Sequence, residues 1–360
     1  MGGIERVIQA LALGLDPAKY DVHVWCLARG GTIADQMILQ GATVKILGLT
    51  SYYNPARVRD LARMLDHEGF DIVHTHGYYA STYARLAALL IKRTRVVRHI
   101  HTTDIAFKPR NRRIERLLSL MSDRVICVSR AVGDFAAETL SVPPRKIRIV
   151  YNAAYADPAG CAAKDVEAWR VKLGINGKHF VIASIASLTA NKGHEVLVRA
   201  MRQVVEKHEN ARGLIIGEGH ERDHLESLID SLDLRGRVFI VGMQGDVAPL
   251  LRLAHVLTLC SVNREGLSVA LLEGAAAGIP LIGSDLGGIP EVIRHGVNGF
   301  LFRPGDSVAL ARAVERLIEE PESWERMCRQ SREIGEMQFS RRRFISTIEG
   351  IYEDLTGAGA

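Results

Sequence analysis

Twelve short runs of β-branched and aliphatic residues punctuate this chain, and longer stretches with helical spacing of apolar residues lie between most of them. Six runs occupy the first half, at 22–27, 43–47, 71–74, 95–100, 123–128 and 146–150. Six more occupy the second, at 180–185, 213–216, 237–241, 256–260, 280–283 and 299–302. Val196, Ala200, Val204 and Val205 show the helical spacing on the stretch after Gly193. Strands that are apolar nearly throughout, alternating with helices, predict parallel sheets covered on both faces. Two successive sets of six strands predict two doubly wound domains rather than one eight-stranded barrel, which would show a single continuous series. A length of 360 residues agrees, at about 100–200 residues per domain.

The boundary is expected in 152–164, where Ala153, Ala154, Ala156, Asp157, Pro158 and Gly160 leave no apolar period. Charge changes sign there: 1–155 carries a net +9 and the remainder a net −4. The domains are therefore placed at 1–155 and 156–335, with 336–360 a helix packing back towards the first. One feature is awkward. A doubly wound domain opens with a strand leading into a glycine turn and a helix, yet Gly2, Gly3 and a helix over 4–15 come at once. The expectation is that the chain starts about ten residues late, and otherwise that the first domain lacks a central strand and is poorly stable.

Composition excludes several classes. With 47% hydrophobic and 24% charged residues the chain is neither disordered nor collagen-like. A formal net charge of +5 and a pI near 9.0 permit an anionic partner without demanding one. Cys26, Cys127, Cys161, Cys260 and Cys328 form no CxxC pair, so neither a zinc site nor a disulfide framework is read, and a reducing cytoplasmic setting is expected. No segment reaches the roughly 18 consecutive apolar residues of a membrane span. The first residues carry charge at once, unlike a signal peptide, and Arg6 stands where a myristoylation motif wants Ser or Thr.

The densest motif runs from Arg264 to Pro280, after the run at 256–260. A helix is expected from about Leu267 to Ala277, stopped by Gly278 and Pro280. The backbone N–H groups of Gly266, Leu267 and Ser268 would then form an anion site at its N-terminus, with Glu265 just before it and Glu273 two turns in. Carboxylates beside an anion site suit a ligand that is both phosphorylated and rich in hydroxyls. On spacing alone, Glu265 as a helix cap and Glu273 as a solvated side chain remain open. Lys192, in the loop Ala186–His194 after the first strand of the second domain, is placed to hold phosphate as a point charge, or is a surface lysine. Gly217-Glu218-Gly219 reads as a tight turn.

In the first domain His74 and His76 share one face of a strand end, and His99 and His101 do the same on another. Only Asp104 accompanies them, with no carboxylate or cysteine sharing their spacing. One histidine meeting a polar ligand is therefore the simpler reading than a metal centre. Residues 85–116 hold ten basic side chains against Asp104 and Glu115, most densely at Lys108, Arg110, Arg112 and Arg113. These either contact an anionic acceptor or membrane surface, or form a solvated basic loop.

Together these pieces resemble the GT-B nucleotide-sugar glycosyltransferases of the family 4 type, which are retaining enzymes. Gly2-Gly3-Ile4-Glu5-Arg6 looks like the family's opening turn, and Asp71-Ile72-Val73-His74-Thr75-His76 and Arg98-His99-Ile100-His101 like its histidine segments. Asp123–Ser129 and Lys146–Asn152 resemble its later strands and the entry to the linker. Glu265 and Glu273 stand in its E-x7-E arrangement, and Asp285-Leu286-Gly287-Gly288-Ile289-Pro290-Glu291 and Asn298-Gly299 come in the expected order. The resemblance covers nearly the whole chain and implies a GT-B fold, two Rossmann-like domains facing a central cleft. It implies that Glu273 binds the nucleotide ribose and Glu265 the donor-sugar hydroxyls. Gly266 and Leu267 would offer backbone N–H groups, and Lys192 would neutralise the diphosphate. His101 would sit against the donor sugar, Gly2 and Gly3 would form the turn near donor and acceptor, and Gly242 and Met243 would meet the base.

The family's usual arginine before the lysine is replaced by Ser187, which throws more of the phosphate on Lys192, and Ala153 replaces a usual glycine. No Asp-x-Asp motif appears, so no metal or other cofactor is expected. Leaving-group charge would be stabilised by Lys192 and the helix N-terminus. Glu265 is expected to position the sugar rather than attack it. The function expected is transfer of a hexosyl group from a nucleotide-diphosphate sugar to a glycan or lipid-linked acceptor in cell-surface polysaccharide synthesis, in the cytoplasm or at the inner membrane face. An epimerase on the same fold, or an inactive scaffold, are the competing readings. Nucleic-acid binding is not expected, since only Phe107 interleaves the basic stretch.

Overall fold

The computed structural model describes residues 3–49, 54–91, 93–103 and 109–357, without the side chains of 109 and 110. It divides into two compact units: Met1–Asn152 with Arg341–Ala360, and Ala153–Ser340.

The first unit runs α1 (Gly3–Gly14), β1 (His23–Cys26), α2 (Thr32–Leu39), β2 (Thr43–Ile46), α3 (Pro55–Glu68), β3 (Ile72–His76), α4 (Tyr78–Ala88), β4 (Arg95–Ile100), α5 (Pro109–Ser119), β5 (Arg124–Cys127), α6 (Arg130–Glu138) and β6 (Ile147–Ile149). All pairings are parallel. The strands form two sheets, β1-β2 and β3-β4-β5-β6, where a doubly wound domain would have one. Among the described residues nothing pairs β1 to β3. Helix ends follow local chemistry. The Asn54 side chain accepts from the Ala56 N–H with Pro55 at the first helical position, and Gly69 closes α3 in the left-handed conformation at φ 70°. Ser129 Oγ accepts from the Val132 N–H at the start of α6. Leu61, Leu65, Tyr83 and Ala87 form the core between α3, α4 and the strands.

The second unit carries α7 (Ala163–Leu173), β7 (Phe180–Ile185), α8 (His194–Lys207), β8 (Ala211–Ile216), α9 (Arg222–Ser231), β9 (Val238–Gly242), α10 (Ala248–Leu253), β10 (Val256–Leu259), α11 (Val269–Ala276), β11 (Leu281–Ser284), β12 (Gly299–Phe302), α12 (Ser307–Glu319) and α13 (Pro321–Gln338). Its single parallel sheet has the order β12-β11-β10-β7-β8-β9. β10 and β11 are buried at every residue, because helices cover both faces. Ile182, Leu197, Met201, Ile215, Leu310 and Val314 are central to this core. Each such side chain contributes roughly 1.5–3 kcal/mol on burial.

The chain returns to the first unit as α14 (Arg341–Thr356). Phe344, Ile345, Ile348, Ile351 and Tyr352 are its buried face. Ile345 lies where a Cβ on Gly14 of α1 would fall, at 2.9 Å, so the glycine lets the two helices meet closely.

Candidate functional site

In the second unit the strand order reverses between β7 and β10, which pair directly. The segments leaving their carboxyl ends diverge there and leave a crevice, the usual ligand position in an open α/β sheet. One segment brings Lys192, the other Glu265. Their side chains, apart by 73 positions in sequence, meet with Lys192 Nζ 2.7 Å from Glu265 Oε2. Ser261 Oγ donates to the same oxygen at 2.6 Å. Glu265 is 6% exposed, so this carboxylate is held by two partners in a nearly dry setting. It is therefore not the helix cap that spacing left open. α11 has no side-chain cap, and Ser268 occupies its N-cap position.

Main-chain crossings hold these two side chains. Gly193 has φ 62°, and a Cβ there would lie 2.1 Å from the Cys260 carbonyl oxygen. The Val262 N–H donates to the Asn191 carbonyl, stitching the two loops together. Gly287, at φ 57°, crosses the Glu265 carbonyl so closely that a Cβ would fall 2.0 Å away. Gly217 and Gly219 do the same to the loop before Lys192: added Cβ atoms would meet the carbonyl oxygens of Ala186 at 1.9 Å and Leu188 at 2.3 Å. The Gly217-Glu218-Gly219 turn thus supports the lysine loop. His194, 3% exposed, packs beneath, its Nε2 3.2 Å from the Ser187 carbonyl oxygen, and burial pulls its pKa down to about 4. The Ser187 side chain itself is exposed.

The helix carrying Glu273 begins at Val269, two residues later than expected. Gly266 and Leu267 therefore lie in the lead-in, not in the first helical turn, and the first-turn N–H groups belong to Val269 and its successors. Glu273 is 4% exposed and accepts from the Ala156 N–H at 3.2 Å, which removes the solvated alternative. Gly242 ends β9 at φ 77°, and Met243 follows with 59% of its surface exposed.

In the first unit the register pairs His76 with His99 across β3 and β4. With His74 and His101 they build a stack, the centroids of His74 and His76 lying 4.5 Å apart and those of His99 and His101 4.2 Å. His76 Nδ1 lies 2.9 Å from His101 Nε2, and His74 Nδ1 lies 2.6 Å from the Tyr352 hydroxyl. Burial holds all four well below the ordinary histidine pKa, His76 at about 3, so the stack is neutral at physiological pH. His99 and His101 also line a cavity of about 310 Å³ with Ile4, Gly77, Tyr78, Arg98 and Thr102.

The basic stretch is not the single exposed surface that composition suggested. Arg85 and Arg98 are buried against Glu115, with Arg85 Nη2 2.8 Å from one carboxylate oxygen and Arg98 on the other. The expected loop at 108–113 is helical from Pro109, and Arg112 and Arg113 are exposed on α5. Gly2 and Lys108, and the side chain of Arg110, lie outside the described residues. Gly3 is the first residue of α1. Sequence reasoning missed Ser261, Tyr352, His194 and the buried triad. A serine four residues before Glu265, the glycines flanking Glu218 and the Gly287-Gly288 pair after Leu286 were the available signals.

The fold is two α/β units with parallel sheets, with a crevice at the order reversal of the second, and sequence comparison names the class. Residues 165–334 match Glycosyl transferases group 1, and residues 1–156 match Glycosyltransferase Family 4. The chain belongs to this family and is a glycosyltransferase of the GT-B fold. It is 30% identical over 310 residues to N-acetyl-alpha-D-glucosaminyl L-malate synthase of Bacillus anthracis, covering 84% of this chain and 80% of that one. It is 24% identical to UDP-Gal:alpha-D-GlcNAc-diphosphoundecaprenol alpha-1,3-galactosyltransferase of Escherichia coli, covering 89% and 86%. A structure of Anabaena Alr3699/HepE in complex with UDP superposes with a TM-score of 0.86 at 22% identity, covering 98% of this chain and 96% of that one. None of these names is that of an epimerase, and the epimerase reading gains nothing from them.

Proposed function

We propose that this glycosyltransferase moves a sugar, with retention at the anomeric carbon, from a nucleotide-diphosphate donor held by its second unit. The acceptor is a glycan or lipid-linked sugar held by the first unit, and the product serves cell-surface glycoconjugate or polysaccharide synthesis. The observation that carries the reading is the meeting of Lys192 and Glu265 at the β7/β10 crevice. In this proposal Lys192 turns its charge to the donor diphosphate, and Glu265, kept in place by Ser261, accepts from sugar hydroxyls. The lead-in N–H groups of Gly266 and Leu267, with the α11 N-terminus, share the developing leaving-group charge. Glu273 receives the ribose hydroxyls, and Gly242 and Met243 border the base. A lysine and a helix end suffice to stabilise the diphosphate, so the donor chemistry needs no metal there. Retention without a carboxylate nucleophile requires same-face attack, with a donor phosphate oxygen taking the acceptor's proton.

The relatives' names favour a UDP-linked donor and an acceptor with its own negative charge, carboxylate or diphosphate. Helix α5 suits such an acceptor delivered at a membrane. Its exposed face carries Arg112, Arg113 and Arg116, with Leu117, Leu120 and Met121 exposed at its end and beyond. No helix is long and apolar enough to cross a membrane among the described residues. On the strength of that basic and apolar face, the reading puts the protein at the inner membrane face as a peripheral enzyme. The test is binding and slow hydrolysis of a panel of nucleotide sugars, with Lys192→Ala and Glu273→Ala alongside and the anomer of any product read by proton NMR. One donor bound, weakened by both substitutions, with a retained anomer, is the expected result. Binding that ignores both substitutions, or an inverted product, overturns it. Absence of any donor turnover favours the inactive scaffold. Vesicle binding that ignores anionic lipid, or survives Arg112→Glu with Arg113→Glu, removes the membrane contact.

A further inference from the structure

The histidine stack does more than the donor-sugar role of His101 requires. Among the described residues, His74, His76 and His99 each bring one ring nitrogen to within 4.8 Å of the other two. Side-chain hydrogen bonds around them are unevenly distributed. His74 Nδ1 is engaged by the Tyr352 hydroxyl, while its buried Nε2 has no hydrogen-bond partner. His76 Nδ1 is engaged by His101. His99, 2% exposed, has no partner for either ring nitrogen. Leaving both polar atoms of a buried imidazole unpaired costs about 1–3 kcal/mol per group, and structures tolerate it where something else satisfies the site.

We propose that His74, His76 and His99 bind one divalent first-row transition-metal ion, with zinc the natural occupant. Three imidazoles with no carboxylate select zinc, copper or nickel over magnesium or calcium. The arrangement of partners is that of metal-binding histidines, in which the second nitrogen is held by a neighbour that fixes tautomer and ring direction. Tyr352 plays this part for His74, and His101 for His76. The bound ion completes the valence of His74 Nε2 and of one ring nitrogen of His99, and keeps a fourth position open. Zinc–nitrogen bonds of about 2.0–2.1 Å place tetrahedral ligand atoms about 3.3 Å apart, so the rings must draw together and turn towards a common centre. Because His76 bonds His101, the ion also fixes the ring of His101 at the wall of the first-unit cavity. It is a positioning centre in the first unit, separate from the diphosphate chemistry.

The test uses the full chain, stripped with a chelator and titrated with Co²⁺ as a spectroscopic stand-in for zinc. The expected result is one equivalent bound, with the strong visible absorption of four-coordinate cobalt, displaced by Zn²⁺. X-ray absorption of the zinc form should show a nitrogen shell at about 2.0–2.1 Å. His74→Gln, His76→Gln and His99→Gln should each abolish the visible bands, whereas His220→Gln, at an exposed site in the second unit, should leave them unchanged. Tyr352→Phe removes only the hydroxyl and should weaken metal affinity by about 10–100-fold while the fold, read by circular dichroism, persists. This variant decides the question if a histidine variant fails to fold. Absence of saturable one-to-one binding overturns the proposal, as does binding that survives the histidine substitutions or keeps its full affinity in Tyr352→Phe. Metal binding is read without any donor, so its failure leaves the transferase reading untouched.

Discussion

Glu115→Gln should destabilise the first unit selectively and by a large amount. The Arg85 and Glu115 side chains are wholly buried and that of Arg98 is 2% exposed, so one carboxylate compensates two guanidinium groups out of reach of water. Glutamine keeps the shape and removes the charge. No cavity term enters, and the cost is that of leaving buried cations uncompensated, about 3–5 kcal/mol. For a body of about 150–250 residues that lowers the unfolding midpoint by roughly 6–20 °C. Tryptophan fluorescence separates the units, because Trp25 lies in the first while Trp169 and Trp324 lie in the second. A background with Trp169→Phe and Trp324→Phe leaves Trp25, packed edge-on to Phe70, as the reporter. Replacing all three members together, Arg85→Met, Arg98→Met and Glu115→Leu, should cost far less than Glu115→Gln alone, since an apolar trio has no charge to strand. A loss under about 1 kcal/mol for Glu115→Gln would refute the reasoning. So would a triple variant no better than the single one.

Lys192→Ala should lower turnover by about 10²–10³-fold with a measurable donor, as loss of one group that stabilises developing charge does; a change below tenfold would mean that the lysine only balances Glu265. Gly219→Ala should displace the lysine loop and sharply weaken donor binding, because its Cβ would meet the Leu188 carbonyl oxygen at 2.3 Å, whereas Gly177→Ala, with open space around it, should be neutral in a nucleotide-binding titration. The second unit should lose stability as pH falls from about 6.5 towards 4. His194 stays neutral in the folded state down to about pH 4 while the unfolded chain takes up its proton, a loss of up to about 3 kcal/mol. Denaturant titrations of the wild type and His194→Gln across that range should converge at acid pH, and parallel profiles would rule out this origin.

The strands were legible because their apolar runs are short, β-branched and set off by turns, and each of the twelve expected runs corresponds to a strand. Lys192 and Glu265 were also legible one by one. Their contact was not, since it depends on the order in which strands assemble, and sequence distance carries no trace of that. Arg85 and Arg98 looked like part of a solvated basic surface because a charge reads as exposed until its partner is known, and the partner, Glu115, lies on a different element. The start of α11 moved because Gly266 to Ser268 stay outside the helix while Gly287 passes over the Glu265 carbonyl, a main-chain crossing invisible in composition. The four histidines were recognised as pairs on two strand ends, and only the register of β3 against β4 makes them one stack.

Helix α14 gives the route of the chain a kinetic meaning. The second unit is one continuous stretch, whereas the first is built from two separated pieces. On a ribosome adding about 5–20 residues per second, synthesis of 153–340 takes on the order of 10–40 s. During that interval the first piece is already out, but Phe344, Ile348 and Tyr352 do not yet exist to cover α1 and His74. The later unit can finish first, and the earlier one waits with an apolar face open to water. Any chaperone that attends this chain has its work set by that delay, and a stop at residue 340 would leave a sound second unit joined to a first that never closes.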